Sequence, residues 1–151
     1  MASAGSASAA GLSVGVPTAA AFTDPLGTAA PVDTTGGAVS VTALGSWQLR
    51  VRGTDGGRLR STGAGLCANG SALLGNPLGF WASGSGVTSP GSSQSPLTLS
   101  GTSQVMASGN VGGLIALAVT VGVIYRYVPS SQDQLPAGCP YSLTATIDLS
   151  A

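Results

Sequence analysis

The feature that most constrains the fold of this chain is the stretch 114–128, LIALAVTVGVIYRYV. Its alternate residues form two unequal sets. Large apolar or aromatic side chains occupy every odd position from 115 to 127, and mostly small side chains occupy the even positions. A period of two indicates a β-strand whose large face must be covered. We therefore expect the rest of the chain to supply a sheet that packs against this strand.

Two helical alternatives for this stretch are disfavoured. The mostly apolar, uncharged stretch 111–125 has only fifteen residues, whereas a membrane-spanning helix needs about 20 apolar residues. Glycines at positions 112, 113 and 122 and the largely β-branched run 119–124 also argue against a helix. A short buried helix over 114–118 is possible locally, although the alternation continues through it. The sequence therefore predicts no membrane span.

Shorter alternating segments predict strands elsewhere in the chain. They lie at 12–16, 38–44, 47–51, 97–99, 105–106 and 141–149. The segment 23–35 is expected to form a turn-rich connection and 83–96 a loop, whereas Phe80 and Trp81 are expected in the core. This pattern predicts an all-β protein, an antiparallel β-sandwich of about eight strands, Ig-like or jelly-roll-like.

The chain is expected to form one domain after a short leader. Residues 1–10, MASAGSASAA, are small and of low complexity, so they predict a flexible leader. The single β-sandwich domain is expected over 11–151.

Composition narrows the possible functions. Charged residues make up 7% of the chain, and five Arg balance five Asp, with no Lys, Glu or His. This balance predicts no nucleic-acid partner. Low charge with 24 Gly is typical of secreted surface or filament proteins, although a GC-rich genome would also favour it.

The side chains needed for catalysis are scarce. General acid–base chemistry could draw only on five aspartates, which are scattered along the chain. A Ser-His-Asp triad cannot form without His. Two cysteines are too few for a zinc site, and no loop gathers the carboxylates of a calcium site. We therefore expect no enzyme activity, no cofactor and no metal.

Cys67 and Cys139 are the only cysteines, and they predict a disulfide bond in an oxidising compartment. Two buried free thiols are the alternative. Localisation is therefore expected to be extracellular or at the cell surface.

Four arginines form the one unusual charged constellation. The pattern around Thr54-Asp55-Gly56 predicts a hairpin in which Gly53 pairs with Gly57. On that hairpin one outer face would carry Arg50, Arg52, Arg58 and Arg60. Arginine binds phosphates and carboxylates bidentately, which suggests a site for an anionic cell-wall or glycan polymer. The alternative is a solvated hairpin whose charges prevent edge-to-edge aggregation.

A short apolar stripe follows the predicted leader. Leu12, Val14 and Val16 alternate with small residues. Such a strand could pair within its own sandwich or add to the sheet edge of a neighbouring copy. The second arrangement would make a head-to-tail homopolymer.

Two segments resemble bacterial cell-surface sandwiches. Trp47-Gln48-Leu49 matches the W-x-L tripeptide of the WxL domain, a wall-associated β-domain, and 141–149 is similar to the closing strand of such Ig-like domains. The family has a second W-x-L near its C-terminus, where this chain has Ile147-Asp148-Leu149. The resemblance implies a secreted, wall-bound, non-enzymatic protein and transfers no ligand site.

The leading expectation is thus a secreted structural protein, a cell-surface or filament-forming subunit. A binding module for an anionic polymer and a viral capsid or tail protein are the alternatives.

Overall fold

The computed structural model describes residues 2–4, 13–15, 31–62, 73–130, 133 and 139–151, and for 2–4 it describes the backbone alone. These residues form eleven β-strands and one 3₁₀ turn, Thr54–Gly57. The strands are β1 (Ala2–Ala4), β2 (Ser13–Val14), β3 (Val32–Ala43), β4 (Gly45–Gly53), β5 (Arg60–Ser61), β6 (Gly79–Ser83), β7 (Leu97–Thr98), β8 (Gln104–Val111), β9 (Leu117–Tyr127), β10 (Tyr141–Ser142) and β11 (Ala145–Ser150). The all-β prediction is confirmed.

The first of the two main sheets has four strands in the order β1-β11-β4-β8. β11 and β4 are antiparallel, with Ile147 opposite Val51. β4 and β8 are also antiparallel, with a bulge after Leu49. The N-terminal strand β1 adds to the outer side of β11 in parallel, with Ala2 opposite Ala145.

The second main sheet has five antiparallel strands in the order β2-β3-β9-β6-β7. Its longest pairing joins β3 to β9, with Val41 opposite Val119 and a bulge between Gly36 and Val39. A small additional sheet pairs β10 with β5, with Tyr141 opposite Ser61.

The core lies between the two main sheets. From β9 it takes Val121, Val123, Tyr125 and Tyr127, none more than 8% exposed. The facing sheet supplies the inward side chains of β4, namely Trp47, Leu49 and Val51. The predicted large face of the central strand is therefore buried from Val121 onward. Burial of these aliphatic and aromatic groups is the main stabilising contribution to such a sandwich.

The prediction that the large face of 114–128 is covered is wrong at the start of this stretch. Ile115 is 69% exposed and Leu117 is 49% exposed. β8 belongs to one sheet and β9 to the other, so residues 112–116 cross the end of the sandwich. Gly113 supports this crossing with a φ of +111°. Side chains on the crossing lie beyond the end of the opposing sheet, and no described strand covers them.

Two further predictions need correction. The segment expected to be irregular up to position 35 contains the start of β3, where Val32 pairs with Tyr127. Phe80 is fully buried, but Trp81 is only half-buried, on the outer face of the second sheet. Successive residues of a strand point to opposite faces, so adjacent aromatics on one strand cannot both enter the same core.

In the described part of the chain, no helix is long or apolar enough to cross a bilayer.

Candidate functional site

Two of the predicted anion-binding arginines lie side by side on the outer face of the first sheet. Along β4 buried and outward residues alternate, so Arg50 and Arg52 are exposed while Leu49 and Val51 are buried. Residues two apart on one face are separated by about 7 Å. Two guanidinium groups therefore project from neighbouring positions on this face.

Neighbouring side chains neutralise the positive charges of Arg50 and Arg52 only in part. On the adjacent strand β11, Asp148 lies opposite Arg50 and Thr146 lies opposite Arg52. Arg50 Nε donates a hydrogen bond to Gln48 Oε1 at 3.2 Å. Among the described residues, neither Arg50 nor Arg52 forms an ion pair within 4.0 Å.

The predicted hairpin is wrong. β4 has β11 on one side and β8 on the other, so no edge remains for the returning chain. After Gly53 the turn uses left-handed backbone at Asp55, Gly56 and Gly57, with φ values of 52°, 66° and 80°. This turn leads the chain away from the sheet, and Leu59 enters the core. Arg58 and Arg60 therefore do not face Arg52 and Arg50.

The other two arginines have different environments. Arg58 is exposed. Arg60 lies on β5 opposite Ser142, and its guanidinium binds Asp55 at 2.8 and 3.0 Å. This hydrogen-bonded contact lowers the pKa of the Asp55 carboxyl below 3.8 and raises the pKa of Arg60. The Arg60 guanidinium therefore stabilises the turn through Asp55. The four arginines do not lie together on one face of a β-hairpin.

A second arginine site escaped sequence reasoning. On the outer face of the five-stranded sheet, Arg126 binds Asp33 at 2.6 and 2.9 Å and also donates to the carbonyl of Ser93 at 2.7 Å. Its guanidinium lies 4.9 Å from the centre of the Trp81 ring. Hydrogen bonds from Arg126 lower the pKa of Asp33. These contacts connect Arg126 of β9 to β3, to β6 and to the loop that contains Ser93. The only sequence signal was one charge on a face of mostly small residues.

A set of hydrogen bonds to one carboxylate, that of Asp133, lies at the far end of the central strand. Asp133 accepts hydrogen bonds from the Tyr127 hydroxyl, from Ser130 N at 2.8 Å and from Gly75 N at 2.7 Å. Tyr141 lies close enough for the Asp133 charge to contribute to its raised pKa, after the larger effect of burial. Through these contacts Asp133 links the loops that contain Gly75 and Ser130 to the end of β9. In the described residues, no group of three metal-ligating side chains is present.

The N-terminal segment supplies an edge strand to each main sheet. Val14 of the predicted apolar stripe lies opposite Val41 of the same chain, and Gly15 N donates to Ser40 O at 2.8 Å. Val14 packs partly buried against the core. Leu12 and Val16 lie outside the described residues. Ala2–Ala4, within the segment predicted to be a flexible leader, lie as β1 on the edge of the other sheet.

Cys139 is 5% exposed, beside the start of β10. No free cysteine occurs in the described part of the chain. Cys67 lies outside the described residues, so its bond to Cys139 stays a prediction.

Comparison with protein-family models, curated proteins and solved structures found no match. The resemblance to the WxL domain therefore also stays a prediction.

Proposed function

We propose that this chain is a secreted, non-enzymatic structural protein, a β-sandwich subunit that self-associates at a cell surface or in a filament through its N-terminal strands. The observation that supports this proposal is the placement of β1 and β2. Each is an edge strand, one in each main sheet, and both come from the first fifteen residues.

β1 and β2 each pair with only a short part of the neighbouring strand. β1 pairs with three of the six residues of β11, and β2 pairs with two of the twelve residues of β3. A short strand near a chain terminus can be exchanged with that of another copy, because the same hydrogen bonds form between chains as within one. The balance then depends on protein concentration and on the length of the connecting segment.

Paired cysteines would test the exchange directly. Ser3 and Thr146 are opposite each other across β1 and β11, so S3C/T146C places two thiols within disulfide reach. Exchange predicts a ladder of covalent oligomers on a non-reducing gel after oxidation at high protein concentration. The matching pair for β2 is S13C/T42C.

The control is a pair inside the first sheet. Ser46 and Asn110 are opposite each other on β4 and β8, which lie far from the N-terminus in sequence, so S46C/N110C should bond within one chain. Monomer bands from all three variants, together with a monomeric wild-type protein at high concentration, would contradict the exchange.

A second candidate function is the binding of an anionic wall or glycan polymer. The observation that favours it is the adjacent, exposed Arg50 and Arg52 on a sheet face. An extended polyanion could contact both groups, since arginine pairs bidentately with phosphate or carboxylate. A surface location would suit both candidates, and a Cys67–Cys139 bond would be stable there.

A further inference from the structure

One end of the sandwich exposes large aliphatic side chains. We call it the apolar end, and it consists of Leu44, Leu114, Ile115 and Leu117. Their exposures are 42%, 96%, 69% and 49%. Leu44 is the single residue between β3 and β4, and the other three lie on or beside the crossing from β8 to β9. Together they expose an area on the order of 500 Å², as large as the main apolar patch of many monomers, where such patches are often functional.

The described charged side chains lie away from this end. On β4 the charged residue closest in sequence to the apolar end is Arg50, five residues and about 17 Å along the strand from Gly45. On β9 the closest is Arg126, nine residues and about 30 Å from Leu117. The opposite end carries the Asp33–Arg126 and Asp55–Arg60 ion pairs. The described part of the molecule is therefore polarised along its long axis.

This separation of the apolar end from the charged side chains disfavours a second copy of the chain as the partner that covers the apolar end. In a head-to-tail contact, the apolar end would meet the ion-paired end and remove those charges from water, which is costly. In a tip-to-tip contact, two projecting surfaces would meet. Leu114 is 96% exposed, so it projects from the fold, and two such projections bury little area against each other. A stable interface needs about 800 Å² on each partner and close shape complementarity.

A lipid surface accepts a projecting apolar group without complementary shape. Apolar groups of interfacial proteins enter about 5–10 Å into the boundary between headgroups and acyl chains. That depth would take in the 112–116 crossing and leave Arg50 and Arg126 in water. We propose that the apolar end inserts into the surface layer of a phospholipid bilayer and so anchors the sandwich upright on a membrane. The insertion does not rest on the self-association proposed above.

Vesicle partitioning would test the insertion. Wild-type protein should co-sediment with phosphatidylcholine vesicles, and the variant L114S/I115S should partition at least about tenfold less, because two aliphatic side chains no longer leave water. The matched control is V128S, since Val128 is 44% exposed at the other end of β9 and should leave partitioning unchanged. Neither Leu114 nor Ile115 belongs to the buried core, so the variant should fold, and circular dichroism would check this.

Two further measurements sharpen the test. Partitioning should be independent of salt and should not increase with phosphatidylglycerol, because no described charged side chain lies at the apolar end. A Leu114→Trp variant should show blue-shifted fluorescence with vesicles and quenching by lipids brominated near the headgroup. Failure of the wild-type protein to bind vesicles would overturn the insertion, as would equal binding by L114S/I115S. A dimer that dissociates on L114S/I115S substitution, without vesicle binding, would assign the apolar end to a second copy instead.

Discussion

The Tyr127 hydroxyl donates a hydrogen bond to the Asp133 carboxylate, and this contact joins the end of the central strand to two loops. The same carboxylate accepts the backbone N–H groups of Ser130 and Gly75. Burial raises the pKa of Tyr127, and the neighbouring carboxylate raises it further. The neutral phenol is thus the form that the folded protein stabilises.

Substitution of Tyr127 should change how stability depends on alkaline pH. A tyrosine whose pKa is raised on folding contributes stability that is fully present below its unfolded pKa, about 10, and that is lost as pH rises toward the folded value. We expect Tyr127→Phe to lose about 1.5 kcal/mol of unfolding free energy at neutral pH. Its stability should also decline less steeply above pH 10 than that of the wild type.

Tyr125→Phe is the matched control for this experiment. Tyr125 lies two residues away on the same face of β9 and is 8% exposed, and no hydrogen bond of its hydroxyl to a described residue is present. Urea unfolding at several pH values would measure both variants. Burial raises the pKa of Tyr125 as well, so the deciding comparison is at neutral pH. Equal losses from the two substitutions there would contradict a specific role for the Tyr127–Asp133 contact.

Gly57 should be the least replaceable residue of the turn after β4. It adopts a φ of +80°, and a Cβ there would collide with the backbone of Leu99. Gly57→Ala should therefore cost at least about 3 kcal/mol of unfolding free energy. The control is Gly56→Ala, which has a similar φ of +66° but open space for a Cβ, so it should cost about 1 kcal/mol. Thermal unfolding would separate the steric effect from the conformational one.

The faces of individual strands could be predicted from the sequence, whereas the pairing around the turn could not. Period-two alternation places Val121 and Val123 inward and Arg50 outward, because successive residues of a strand point to opposite faces. The hairpin prediction used only local information, namely the glycine-rich turn and the alternating side chains on either side of it. It missed that β11 and β8 already occupy both edges of β4. Some of the residues that pair there, such as Gln48 and Ser150, are 102 positions apart in the sequence (150 − 48).

Pairing between distant segments also explains why the sequence did not predict the Asp33–Arg126 ion pair. Asp33 and Arg126 are 93 residues apart in the sequence and meet only because β3 and β9 pair in one register. Alternation predicts that Arg126 lies on the outer face but not which strand lies beside it. The exposure of Leu114 could not be predicted either, because periodicity does not reveal where the opposing sheet ends.

Removal of the Asp33 charge should produce a small loss that disappears in acid. Its pKa is lowered on folding by hydrogen bonds from Arg126. A depressed carboxyl pKa contributes stability above the unfolded value, about 4, which is lost as pH falls through the folded value. Because both side chains are partly exposed to water, we expect Asp33→Asn to cost only about 0.5 kcal/mol at neutral pH and nothing in acid, below the folded pKa.

Asp148→Asn is the control for that prediction. Asp148 lies on an outer sheet face opposite Arg50, but it forms no ion pair within 4.0 Å to a described residue. Its replacement should leave stability unchanged at both pH values. A loss from Asp33→Asn that persisted in acid would point to packing rather than charge.

Reduction should destabilise the protein if Cys67 and Cys139 are bonded. The bond would close a loop of 72 residues (139 − 67), which corresponds to about 4 kcal/mol in the chain-entropy model. For a chain of this size we expect reductant to lower Tm by about 10 °C. The variant C67S/C139S should have the low Tm with or without reductant. Recovery of two alkylated thiols from protein isolated in its native compartment would contradict the bond.

The adjacent Arg50 and Arg52 should dominate binding to polyanions. Both project from one face of β4, whereas Arg60 is held by Asp55. The double variants R50S/R52S and R58S/R60S remove the same charge, so a difference between them measures geometry rather than net charge. On a phosphate matrix, R50S/R52S should elute at lower salt than R58S/R60S. The difference should shrink as salt rises, since screening weakens exposed charges. Equal elution of the two variants would leave the arginines as solvated surface charges, in which case the sheet face carries no polymer site.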